Sequence, residues 1–512
     1  MAKSYIKRIL DARVYDVAVE SPLDHARSLS TRLENTVLLK REDLQPVFSF
    51  KLRGAYNKIA RLSQEERDRG VITVSAGNHA QGVALAAERL KIKAVIVMPR
   101  TTPDIKVNAV RSRGAKVILH GDTYDEAAEH GRILQEKHGY TFVHPFDDPD
   151  VIAGQGTIGM EILRQQSGAL DAVFVPVGGG GICAGVAAFI KYVRPEVKVI
   201  GVEADDAACL AAAMKAGRRV VLPQVGLFAD GAAVAQIGKE TFRVIRQTVD
   251  DVITVSTDEI CAAIKDIFED TRSISEPAGA LGLAGLKKYV ATSGARNQTL
   301  VAISSGANTN FDRLRHISER TEIGEKREAI LNVTIPERPG SFRGFCAALG
   351  RSRPITEFNY RYADSGEAQI FVGVQVNPVE GKDRARLIED LEAAGYPVLD
   401  LTDNELAKLH IRHMVGGRAP SIGEDEIVYR FEFPERPGAL LGFLTTAGQK
   451  WNISMFHYRN HGSSHARVVA GFQVPRSERK SIANFFATMS KSDQVFSYWD
   501  ETDNPAYKLF LR

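Results

Sequence analysis

Cysteine is scarce in this 512-residue chain. Its four cysteines (Cys183, Cys209, Cys261 and Cys346) are scattered, with no CxxC and no histidine partners at zinc spacing. That excludes a disulfide framework and a structural zinc site, and it fits a reducing, cytosolic compartment. Charge of one sign is also lacking: 66 Lys and Arg stand against 63 Asp and Glu, a net of +3. Such a balance gives no reason to expect nucleic acid or an acidic membrane as partner. No apolar run approaches the roughly 18 residues that a membrane span requires. The first residues, "MAKSYIKRIL", carry basic side chains but no apolar core and no small-residue cleavage site, so no export signal is expected.

The composition that remains, 44% hydrophobic and 25% charged, is that of an ordinary soluble globular protein. One core stops growing at about 250–300 residues, so at least two domains are expected. From about residue 30 to 310, short apolar runs alternate with amphipathic stretches. "VITVSAG", "AVIVMP", "AKVILHG", "AVFVPVGGGG", "KVIGVEA" and "LVAISSGAN" each read as a buried strand ending in small residues. Helical patterns such as "HAQGVALAAERL" and "YDEAAEHGRILQEKHG" follow them. This alternation predicts an α/β domain of mostly parallel open sheets with helices on both faces. Ligands of such folds bind where loops leave the carboxyl ends of the strands.

Beyond residue 320 the chain repeats itself. "VTIPERPGSFRGFCAALG" is answered by "FEFPERPGALLGFLTTAG", with Pro336 against Pro434, an offset of 98. "TEFNYRY" matches "SMFHYRN" at the same offset, and "TDNELAKLHIR" matches "TDNPAYKLFLR" at an offset of 100. Each copy reads strand, Pro-Gly loop, helix, hairpin, helix, final strand: a small α+β module. The expected domains are 1–320, 326–420 and 421–512, with the boundary in the charged stretch "SERTEIGEKRE". A duplicated small module behind a catalytic-looking half is a common regulatory arrangement, although a purely structural duplication leaves the same trace.

Four small-residue loops can build one site. In "SFKLRGA", Lys51 follows Phe50, and Arg53 can add positive charge nearby. A lone lysine is usually a solvated one, whereas a catalytic lysine needs desolvation or neighbouring cations so that its neutral amine is available. "SAGNHAQG" leaves a strand and opens a helix, so its amides and the side chains of Ser75 and Asn78 can hold a carboxylate or a ring edge; Asn78 could equally be an ordinary N-cap. His79 reads as a helix residue without a catalytic part. Gly178, Gly179, Gly180 and Gly181 allow close backbone approach and aim helix amides at a ligand, which suits a phosphate. In "SSGAN", a serine can hydrogen-bond a ring nitrogen that stays unprotonated. Lysine, phosphate cradle, carboxylate loop and serine together are what pyridoxal phosphate needs.

These motifs, in this order, resemble the threonine dehydratases of the fold-type II pyridoxal-phosphate enzymes, and the two repeats resemble ACT-like regulatory modules. The resemblance spans nearly the whole chain. It implies a Schiff-base lysine at Lys51, a partner for the cofactor's 3′-oxygen at Asn78, a phosphate cradle at Gly178 to Gly181 with Ile182 beside it, and a pyridine-nitrogen partner at Ser305 rather than Ser304. It places Phe50 against one ring face and Gly231 against the other. Ser75, Gly77, Asn78 and His79 fall in the substrate-carboxylate loop. Ile182 stands where leucine is frequent, and Glu276 in "SEPAGA" lies on a loop facing the site.

The implied reaction is deamination of L-threonine, with L-serine also possible, to a 2-oxo acid and ammonia. The lysine amine takes the α-proton and the β-hydroxyl leaves. Isoleucine is implied as inhibitor and valine as antagonist, near Tyr360, Arg361, Tyr458 and Arg459, in a cytoplasmic homotetramer. Serine dehydratase, serine racemase, threonine synthase and a non-catalytic amino-acid sensor are the rival readings. A nicotinamide dehydrogenase is a further one, since Glu203 lies 22 residues beyond Gly181, near the spacing of a ribose-binding acid.

Overall fold

The computed structural model describes residues 2–336, 341–349, 353, 355–360, 367–377, 382–413, 425–434, 451–459, 465–489 and 497–511. The chain forms two compact units, Met1–Ser318 and Glu319–Arg512.

The first unit holds two sheets. The larger has six strands in the order Leu23–His25, Thr36–Arg41, Thr299–Ser304, Ala172–Pro176, Lys198–Ala204, Asp251–Val255. Its first pair is antiparallel and the rest are parallel. The smaller sheet is parallel throughout, in the order Lys116–Leu119, Ala94–Met98, Val71–Val74, Thr141–Phe142. Strand periodicity of two sends alternate residues to opposite faces. Val301 and Ile303 enter one core with Val173, Val175 and Val199. Leu300 and Ala302 enter another with Phe174, Ile200 and Val202. Both faces are covered, which is why these strands read as unbroken apolar runs.

Helix starts follow their local chemistry. Ser63 with Glu66, Thr123 with Glu126 and Ser256 with Glu259 form reciprocal capping boxes. Asp148 caps Pro149–Gln165, with proline in the first turn. The strands Thr36–Arg41 and Asp251–Val255 escaped the sequence reading, although "TVLL" and "VITV" are apolar runs of strand length.

The second unit contains two antiparallel four-stranded sheets. One has the order Ile355–Tyr360, Glu367–Gln375, Glu328–Pro336, Val398–Asp400; the other has Asn452–Arg459, His465–Gln473, Glu426–Pro434, Ser497–Asp500. The sequence offset reappears as register. Glu328 pairs with Gln375 and Glu426 with Gln473, and both hairpins carry an irregularity, between Ile355 and Glu357 and between Ile453 and Met455. Thr402 Oγ1 accepts from Ile330 N–H at 3.0 Å, and Thr502 Oγ1 accepts from Val428 N–H at 3.1 Å. The "TDN" segments add an element beyond the expected module. They turn after the last strand and lead into short helices, Glu405–Leu409 and Pro505–Phe510, capped by Asn404 and Asn504. Those helices join Ile330, Phe371, Val428 and Val469 in one apolar cluster shared by both copies.

Candidate active site

The "SFKLRGA" and "SSGAN" loops are laced together by backbone. Phe50 N–H donates to Ser305 O at 3.2 Å, and Ala307 N–H donates to Phe48 O at 2.9 Å. Lys51 then opens the helix Lys51–Ala60. Its Nζ donates to Pro145 O at 3.0 Å and lies 5.3 Å from the centre of the Phe50 ring. Burial pushes this amine down to about 8, against the pull of the Glu276 carboxylate. Desolvation disfavours an ammonium, so a neutral amine becomes accessible near neutral pH.

One cleft gathers the expected cofactor groups other than Asn78. Phe50, Lys51, Gly178, Gly179, Gly180, Gly181, Ile182, Gly231 and Ser305 all line it. The glycine run follows the strand Ala172–Pro176 and leads into the helix Gly181–Val193, whose first residues line the cleft where a helix start can hold an anion. A Cβ on Gly179 would lie 2.2 Å from the Phe146 ring, and Gly180 has φ +90°. Only glycine fits either place. The cradle is braced from behind, where Thr241 Oγ1 donates to Gly179 O at 2.8 Å. Asp147 accepts from the backbone N–H of Lys239, Glu240 and Thr241. The cleft therefore suits a phosphorylated, aldehyde-bearing ring: an anion cradle at one end, a desolvated amine beside it, and the Ser305 hydroxyl on the wall. Ser304 is not in the cleft lining.

One expectation, that for Arg53, and two alternative readings, those for Asn78 and Glu203, need correction. Arg53 adds no charge beside Lys51. It is fully buried and turned away, bonded to Glu42 at 2.8 Å and to Glu161 at 2.6 Å, while Lys40 bonds Glu161 at 2.6 Å. Asn78 is no N-cap. Gly77 holds that position, and the Asn78 side chain bonds Glu276 and Asn308. His79 is buried with Nε2 on Val143 O at 2.9 Å, and burial pushes it down to about 3, so its ring is neutral and outside the cleft lining. Glu203 holds no ribose. It accepts from Leu210 and Ala211 N–H at 2.7 and 2.8 Å, capping Cys209–Ala216 from a buried position. Ser75 Oγ accepts from Gly77 N–H at 3.3 Å, which shapes the loop.

The structure also adds residues that the sequence reading missed. Pro145, Phe146, Gln155, Pro176, Ala232 and Ala278 complete the lining. Phe146 belongs to "FDDPD", whose Asp before Pro is a readable helix-start signal. Glu276 is buried, and burial together with the nearby Asp230 charge pushes it up to about 7. Of the expected effector residues, Tyr360, Tyr458 and Arg459 end hairpin strands, paired with Ile370, Val468 and Arg467. Arg361 and both "ERPG" loops lie outside the described residues.

Comparisons with known proteins give the family. A family described as "Pyridoxal-phosphate dependent enzyme" matches residues 15–306, which sets the class. The "C-terminal regulatory domain of Threonine dehydratase" matches 319–411 and 417–511. The chain is 56% identical to an L-threonine dehydratase biosynthetic IlvA of Burkholderia multivorans, covering 99% of each chain. It is 54% identical to that of Escherichia coli, covering 99% of this chain and 97% of the other. The solved processed form of threonine deaminase isoform 2 from Solanum lycopersicum is 52% identical with a TM-score of 0.61, covering 62% of this chain and 93% of that one. The chain belongs to the biosynthetic threonine dehydratases, a branch of the pyridoxal-phosphate-dependent enzymes that carries a C-terminal regulatory domain.

Proposed function

We propose that this chain deaminates L-threonine to 2-oxobutanoate and ammonia, the first committed step towards isoleucine. One observation carries the reading: Lys51, the four-glycine helix start and Ser305 line a single cleft. Lys51 would hold pyridoxal phosphate covalently, Gly178 to Gly181 its phosphate, Asn78 its ring oxygen and Ser305 its ring nitrogen, with Phe50 and Gly231 on the two faces. When bound, the cofactor supplies an electron sink that acidifies the substrate's α-proton. The chain's own part is positional and acid–base. The loop of Ser75, Gly77 and Asn78, with the His79 backbone, would orient the substrate carboxylate at a helix start. Freed where the substrate amine takes its place, the Lys51 amine, depressed by burial, would take the α-proton; such help is typically worth about 10²–10⁴-fold.

The C-terminal unit serves as the brake. Isoleucine would inhibit and valine would antagonise it, near Tyr360, Arg361, Tyr458 and Arg459, through a coupling of about 1–3 kcal/mol. The regulatory-domain match and the duplicated modules support this reading. We place the enzyme in the cytoplasm as a homotetramer; no helix among the described residues is long and apolar enough to cross a membrane.

The test is the visible spectrum of the purified protein with and without threonine, followed by the 2-oxobutanoate rate as isoleucine is added. A threonine-sensitive visible band and turnover that isoleucine suppresses are expected. A colourless protein that cannot be reconstituted with the cofactor overturns the reading. Faster turnover of L-serine would favour a serine dehydratase instead. An enzyme lacking residues beyond about 325 should stay active and ignore isoleucine.

A further inference from the structure

Glu276 precedes the helix Pro277–Ser293 at the N-cap position, yet its side chain caps nothing. It is only 4% exposed and turns toward Asn78, whose Nδ2 donates to Glu276 Oε1 at 2.6 Å. At the other end of the same amide, Asn308 Nδ2 donates to Asn78 Oδ1 at 2.7 Å. Asn308 is itself tied down, donating to Val47 O at 2.8 Å. Val47 O only accepts, so Asn308 presents its nitrogen end to Asn78 Oδ1, and the nitrogen end of the Asn78 amide is left facing Glu276. The oxygen end is occupied by Asn308. One N–H of Nδ2 is left over, and neither partner claims it.

The surroundings are shaped for this carboxyl. A Cβ on Gly306 would come within 2.3 Å of Glu276 Oε1, and one on Gly231 within 3.0 Å of the Ala278 Cβ. Asp230, the neighbouring acid, is held by Lys106 at 2.8 Å and Arg313 at 3.3 Å. Glu276 is therefore the carboxylate left to the Asn78 amide.

We propose that Glu276 is a positioning residue that, with Asn308, sets the Asn78 amide so that an N–H, never the carbonyl oxygen, is presented to the bound cofactor. The inference rests on the reading of Asn78 as partner of the cofactor's ring oxygen. A donor there favours that oxygen as an anion over a hydroxyl, because a hydrogen bond to the charged form stabilises it. A carboxylate acceptor grips the amide more firmly than a neutral one does.

The test uses the full chain reconstituted with pyridoxal phosphate. The readout is the ratio of its long-wavelength band, from the ionised ring oxygen, to its short-wavelength band, from the hydroxyl. Asn78→Ala should lower the ratio by about tenfold, the worth of one hydrogen bond to a charged group. Glu276→Ala and Asn308→Ala should lower it in the same direction. Glu276→Gln, which can still accept from Asn78, should stay within about twofold of the parent protein, and the double change Asn78→Ala with Glu276→Ala should fall no further than Asn78→Ala alone. Additive effects in the double variant would overturn the proposal, since Glu276 would then act without Asn78. An unchanged ratio in Asn308→Ala would also overturn it, and that variant carries the test if Glu276→Ala does not fold. An unchanged ratio in Asn78→Ala is the distinct result that removes the reading of Asn78 itself, and the proposal with it.

Discussion

Lys51 and Arg53 stand two residues apart in one motif, and the fold treats them in opposite ways. Arg53 is fully buried, with Glu42 and Glu161 both bonded to its guanidinium and Lys40 sharing Glu161. Every charge in that network has a partner of opposite sign. Lys51 faces the cleft with a carbonyl oxygen as its hydrogen-bond partner, and Glu276 acts on it only through its charge. The difference teaches how a structural cation is told from a chemical one. Compensated charge holds the helix Lys51–Ala60 in place, whereas incompletely compensated charge leaves an amine ready to exchange a proton.

That comparison can be broken from either side. The largest effect is expected from Lys51→Ala. Turnover of threonine should fall by at least about 10⁴-fold, because the acid–base group and the covalent anchor go together. The melting temperature of the cofactor-free protein at pH 7 should hold or rise, since a desolvated amine has been removed; a marked fall would mean that Lys51 is structural. Arg53→Ala should do the reverse. It leaves buried Glu42 without its cation while Glu161 keeps only Lys40, which costs about 3–5 kcal/mol in a denaturant titration. A loss well under that range would show that the network relaxes or admits water.

A smaller effect sharpens the contrast through pH. Glu276 holds its proton more tightly folded than unfolded, being pushed from 4.5 up to about 7. Its stabilising contribution is therefore complete below about 4.5 and lost as pH rises through about 7. Measured without cofactor, the parent protein should lose up to ~3 kcal/mol relative to Glu276→Gln across that window. Parallel curves would remove Glu276 from the set of strained groups. The smallest effect belongs to Arg132, whose partners Glu129 and Glu136 lie on the same exposed helix face. Arg132→Ala should leave the melting temperature unchanged, because solvent screens such pairs; a clear drop would weaken the distinction between buried and exposed networks.

Much of the site was legible because its parts are contiguous. Lys51, the glycine run and Ser305 each sit at the end of an apolar run, and the chemistry follows from residue type and loop position. The repeat was legible for the same reason, and its offset of 98 survives as strand register. The alternative of Asn78 as a cap stayed open in the sequence because its partner Glu276 lies 198 residues away. Arg53 was misjudged because its direction depends on Glu161, 108 residues away. No local pattern carries such distances.

The amino-acid order alone determined the α/β alternation, the duplicated tail and the small-residue loops, since these depend on periodicity and on backbone freedom at glycine. Tertiary structure decided which of two neighbouring cations is neutralised, which end of the Asn78 amide faces Glu276, and that the buried Glu203 caps a helix. The physical reason is common to all three. Burial multiplies the worth of a charge or hydrogen bond, and burial exists only once distant segments have been packed together.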